Sequence, residues 1–132
     1  MTFPETNQEL GRLVVRQSLL AQLRARLGYP RMLMAELLYT TIPVYTAWES
    51  QPDTKIREQS AERIGRFYRS AMAQLNLLDE AGVKLSELVP WHRVAMHYRV
   101  GQEVLLRRYR AGEIDAMDLG VLGLWGYKED LQ

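Results

Sequence analysis

The sequence predicts an all-α protein: an up-and-down four-helix bundle followed by a short C-terminal helical or irregular segment. Three observations carry this expectation. Apolar residues recur at helical spacing over most of the chain, strand-like alternation is nearly absent, and prolines and glycines fall where helices should begin and end. A chain of 132 residues, 47% of them apolar, is expected to form one domain whose core needs neither metals nor crosslinks.

The first helix is expected over residues 4–27, where Leu10, Leu13, Leu20, Leu23 and Leu27 form an apolar stripe with Arg12, Arg16, Arg24 and Arg26 mostly to its sides. Gly28 stops it. Pro30 opens the second, over 30–48, whose residues 32–38 are apolar nearly all round apart from Glu36. Pro43 removes an amide donor, so it is expected to kink or end that helix. The loop Ser50-Gln51-Pro52-Asp53 precedes a third helix over 54–81, capped by Asp53 or Thr54 and ended by Gly82. Its buried side is expected to carry Ile56, Ile64, Phe67, Ala71, Leu75 and Leu78.

The fourth helix, 90–111, has the clearest start and stop. Pro90 suits the first helical position and Gly112 the C-terminal cap, while Trp91, Val94, Ala95, Tyr98, Leu105, Leu106 and Tyr109 share one side. The other side is basic, with Arg93, Arg99, Arg107, Arg108 and Arg110 against the single acid Glu103. Short junctions make consecutive helices antiparallel neighbours. The last element, about 115–127, has Gly120, Gly123 and Gly126 at every third position, which weakens a helix; it is expected to be partly helical and docked through Leu124, Trp125 and Tyr127.

The net charge of +1 conceals a segmented distribution. Basic stretches at 1–31, 55–70 and 90–111 alternate with acidic ones at 32–54, 71–89 and 112–132. Fourteen of the seventeen basic residues are arginine, the side chain suited to bidentate contacts with carboxylate or phosphate. With no cysteine, disulfides, thiolate metal sites and cysteine catalysis are excluded. Neither a signal-peptide pattern nor an apolar run of membrane-spanning length is read, so a cytoplasmic protein without membrane contact is expected.

Chemistry-bearing patterns are sparse. His92 and His97, five residues apart on one helix, project some 140° apart and cannot share a metal ion. No Glu-x-x-His pair exists, and no catalytic residue, metal or cofactor is expected. Glu36, amid apolar neighbours, is expected to be buried and paired to an arginine of a neighbouring helix; with Tyr39, Thr40 and the Pro43 kink it is also the candidate lining of a small pocket.

Two short resemblances bear on the C-terminal half. Residues 102–122, through Tyr109, Gly112, Asp118 and Leu119, resemble the helix-turn-helix repeat of TolC-type outer-membrane efflux proteins. That resemblance implies a helix stop at Gly112 and a further N-cap at Asp115. Ala95, Val100, Gln102, Leu105, Arg107 and the ending Arg110-Ala111-Gly112 resemble the recognition portion of Cro-type repressors, which implies DNA reading. In that family's pattern the turn glycine follows the alanine at a shorter interval than Gly101 follows Ala95, and a continuous helix through Gly101 accounts for the residues with fewer assumptions.

The leading expectation for function is a small, non-enzymatic interaction or adaptor protein that self-associates, with Leu124, Trp125 and Tyr127 touching the partner. The alternative is an arginine-mediated DNA- or RNA-binding protein using Arg66, Arg69, Arg93, Arg107 and Arg108. A third reading is a small-ligand sensor or enzyme built on the Glu36, Tyr39 and Thr40 pocket.

Overall fold

In a computed structural model, which describes residues 6–132, seven α-helices and a small three-stranded sheet are present among the described residues. The start of the expected first helix, at residues 4 and 5, lies outside the described residues. Helix dominates, but an up-and-down four-helix bundle is not the arrangement. Three of the four expected long helices are broken. The chain divides into two compact units, one up to Met72 and one of Ala73–Gln132.

The first unit holds α1 (Asn7–Arg16), α2 (Leu19–Leu27), α3 (Arg31–Leu37), α4 (Ile42–Ser50) and the beginning of α5 (Glu58–Glu80), which ends in the second unit. Thr6 caps α1, its hydroxyl accepting from the Glu9 amide at 3.1 Å. The expected 4–27 helix breaks where Ser18 turns left-handed at φ 56°, between α1 and α2. The expected 30–48 helix likewise divides. Tyr39 adopts φ 54°, and α4 restarts behind Thr41, whose hydroxyl accepts from the Val44 amide at 3.3 Å. Pro43 therefore sits in the first turn of a helix, where its missing donor costs nothing, instead of kinking one. The third helix begins at Glu58, four residues beyond Thr54.

Two helical glycines set the packing of α1 against α5. A methyl carbon built on Gly11 would fall 1.8 Å from the carbonyl oxygen of Ala61, and one on Gly65 would fall 1.8 Å from that of Asn7. The two backbones are in direct contact here. Asn7 and Gly11 on one helix face Ala61 and Gly65 on the other, each pair four residues apart, and Arg69 Nε donates to Asn7 Oδ1 at 3.1 Å beside the crossing.

The second unit contains the end of α5, β1 (Leu88–Pro90), α6 (Trp91–Tyr98), α7 (Gln102–Arg110), β2 (Ala116–Asp118) and β3 (Leu124–Tyr127). The sheet is antiparallel in the order β1-β3-β2, with Val89 opposite Gly126 and Met117 opposite Trp125. The expected glycine-weakened helical segment is thus a β-hairpin, turned by Gly120 and Gly123 at φ 61° and 74°. Asp115 precedes a strand and caps no helix. Helix α6 packs on β1 and β3, and the third glycine, Gly126, is where β3 passes under Val94: a side chain there would meet Val94 Cγ2 at 2.9 Å. Among the described residues, no helix is long and apolar enough to cross a membrane.

Candidate nucleic-acid interface

The expected continuous helix over 90–111 is two helices. Eight residues of α6 and nine of α7 are joined by Arg99-Val100-Gly101. Arg99 takes the left-handed conformation, φ 57° and ψ 41°, and the amide of Val100 reaches back to the carbonyl of Ala95 at 3.2 Å. Val100 then packs against the buried cluster of Val94, Ala95 and Leu105. A left-handed residue, a bond spanning five residues and an apolar contact behind it make a Schellman cap. Arg99, the left-handed residue of this turn, follows Ala95 by four residues.

The turn fixes which face of α7 meets solvent. Leu105 is fully buried, and Tyr109 lies edge-on to Trp91 with ring centroids 6.1 Å apart. On the opposite side Glu103, Arg107 and Arg110 project within an arc of about 60° and are exposed, with Gln102 exposed at the helix start. Arg93 on α6 and Arg99 in the turn are exposed, and Arg108 is half-buried. The spacing of Glu103 from Arg99 and Arg107 suggests self-pairing, yet neither pair forms; the break takes Arg99 out of phase with α7, and Arg107 stays unpaired although it lies one turn from Glu103 on the same helix. His92 is half-buried; burial lowers the pKa of its imidazole and the charge of Arg93 adds to the shift. The hairpin tip at 119–123 carries no charge.

Of the sequence-predicted contacts, Arg93, Arg107 and Arg108 thus lie in this unit. Arg66 and Arg69 lie in the other, where Arg66 pairs with Glu62 and Arg69 with Asn7. Trp125 is 2% exposed and its indole N–H donates to the Leu122 carbonyl at 3.0 Å, so it docks into its own unit; Leu124 and Tyr127 are half-buried beside it. The third group does not close a buried site. Glu36 and Tyr39 are exposed, Tyr39 to 79%, and Thr40 is half-buried.

The buried, arginine-paired glutamate expected at Glu36 is instead Glu49, on α4. Arg24 forks onto it, Nε to Oε2 at 2.6 Å and Nη2 to Oε1 at 3.2 Å; Arg31 Nε donates to Oε1 at 3.2 Å and the Tyr45 hydroxyl to Oε2 at 2.5 Å. Burial alone would raise the carboxyl, but hydrogen bonds from Arg24, Tyr45 and Arg31 outweigh it and hold Glu49 below the usual carboxylate range. Burial, and then the carboxylate it faces, push the Tyr45 phenol far above its ordinary value. Glu36 looked isolated because its neighbours in sequence are apolar. Glu49 shows its partners only across folded helices, the one local signal being Tyr45 four residues before it.

No protein-family model, curated protein or solved structure matches this chain.

Proposed function

We propose that the second unit binds duplex DNA as a winged helix-turn-helix, with α7 in the major groove. The single observation that carries this reading is the break at Arg99, which makes α6 and α7 a helix-turn-helix and turns a polar, arginine-bearing face of α7 to solvent. The connectivity supports it. A strand precedes the helix pair, a hairpin follows, and the hairpin's second strand lies between the other two, as a wing does. Residues at the start of such a helix contact base edges. Here those are Gln102, suited to adenine, and Glu103, which can accept from cytosine; Arg107, one turn on, suits guanine. The other arginines supply phosphate contacts.

The test is fluorescence anisotropy with mixed-sequence duplexes across a salt series. Five arginines and two lysines, Lys84 and Lys128, on this unit can neutralise at most seven phosphates, so the logarithmic salt slope should not exceed about 6.3 in magnitude per bound unit. Arg107→Ala with Arg110→Ala should relax selection at the guanine position and flatten the slope by up to about 2. Absence of duplex binding at low salt defeats the proposal, and binding indifferent to the double substitution defeats the assignment to α7.

Self-association remains a second reading, favoured by the α3–α4 connection. Met32, Tyr39, Ile42 and Val44 there are 57%, 79%, 47% and 43% exposed. A mass in solution that halves on Tyr39→Ser with Ile42→Ser supports it; a monomer at all concentrations removes it.

A further inference from the structure

The first unit has a concave site of its own. A groove of about 380 Å³ opens between α1 and the segment that leads into α5. Among the described residues its charged lining is entirely cationic: Arg12, Arg16 and Lys55 border it, and no carboxylate does. None of the three has a hydrogen-bond or ion-pair partner among the described residues, whereas Arg24, Arg31, Arg66 and Arg69 all do. Arg12 and Arg16 are one helical turn apart on α1, a like-charge spacing that is unfavourable unless an anion lies between them. Thr54 adds a hydroxyl. Ile56 and Pro52 line the same groove with apolar surface, above the buried Val15.

We propose that this groove binds a small phosphomonoester, its phosphate held by Arg12, Arg16, Lys55 and the Thr54 hydroxyl and its apolar body resting on Ile56 and Pro52. Three cations match a group carrying close to two negative charges better than a carboxylate carrying one. The volume falls in the range of small-molecule sites, about 300–1,000 Å³, and the apolar lining gives an organic body a place that bare nucleic-acid phosphate would not use. Nothing in this argument rests on DNA binding by the second unit.

Calorimetric titration of the full chain with phenyl phosphate, inorganic phosphate and phenol tests it. Phenyl phosphate should bind with Kd below about 1 mM, inorganic phosphate more weakly at the same site, and phenol not at all. Arg12→Gln with Arg16→Gln should weaken phenyl phosphate at least about tenfold, Lys55→Gln should do so to a lesser degree, and Arg107→Ala should leave it unchanged. Circular dichroism of each variant confirms that the fold is kept. Failure of phenyl phosphate to bind, binding insensitive to the Arg12 and Arg16 changes in a folded variant, or a variant that loses duplex affinity while phenyl phosphate never bound would each overturn the proposal.

Discussion

Replacing Gly11 by alanine sets two opposed effects against each other. Helix propensity alone favours the change by about 1 kcal/mol, because alanine restricts the unfolded chain and suits a helix interior. The crossing opposes it. A methyl carbon at Gly11 would sit 1.8 Å from the Ala61 carbonyl oxygen, against the roughly 3.3 Å that a carbon and an oxygen tolerate, so α1 and α5 must part by about 1.5 Å. Overpacking of side chains costs typically 1–3 kcal/mol; here the obstacle is backbone on both sides, which has no rotamer to change, so the upper end applies. The expected net effect is destabilisation by about 2 kcal/mol. Urea denaturation followed by the fluorescence of Trp48, which is 4% exposed in the same unit, measures it. Gly65→Ala should behave alike, since its methyl would meet the Asn7 carbonyl at the same 1.8 Å. The double variant should cost less than both singles added, because one separation of the helices relieves both clashes. A Gly11→Ala protein as stable as the parent, or more stable, would refute the close crossing.

Two further outcomes test the turn and the buried ion cluster. Arg99→Gly should leave stability unchanged or raise it by up to about 1 kcal/mol, because it relieves a left-handed residue; in a continuous helix the same change would cost about 1 kcal/mol, so thermal denaturation separates the two architectures. Glu49→Gln should destabilise by about 3 kcal/mol at neutral pH, the low end for a broken buried pair because Arg24 and Arg31 keep 24% and 51% of their side-chain surface in water. Because Glu49 is held below its ordinary value of 4.5, its contribution is complete above that pH and is lost as the pH falls through the folded value, so parent and variant should converge in acid urea titrations.

The helical ends show how much of the fold was legible. Five helices finish in the same way, with a left-handed residue and an amide that reaches back across five residues: Tyr29 to Arg24, Thr40 to Ala35, Val83 to Leu78, Val100 to Ala95 and Glu113 to Arg108. Where the left-handed residue is Gly28, Gly82 or Gly112, sequence reading finds the stop. Where it is Tyr39 or Arg99, it reads straight through, because neither side chain announces a conformation that disfavours it. Those two positions, with Ser18, account for the three extra helices. The hairpin was hidden for a related reason: glycines at every third position look like a spoiled helix, whereas here two of them turn a hairpin and the third lets β3 pass under Val94.

The same blind spot governed the reading of function. Arginines on an unbroken amphipathic helix are a solvated face, and nothing more follows from them. Break that helix after Tyr98, and the arginines are no longer equivalent: Arg99 becomes part of a turn, Arg108 lies toward the core side, and Arg107 and Arg110 stay in solvent beside Glu103. The energy that permits this is tertiary. A left-handed arginine costs roughly 1–2 kcal/mol, which the packing of half-buried Val100 against Val94, Ala95 and Leu105 offsets in part, full burial of such a side chain being worth about 1.5–3 kcal/mol. Val100 therefore holds the exposed face of α7 in place, and the apolar contact behind the turn, more than the count of arginines, is what the proposal of DNA binding rests on.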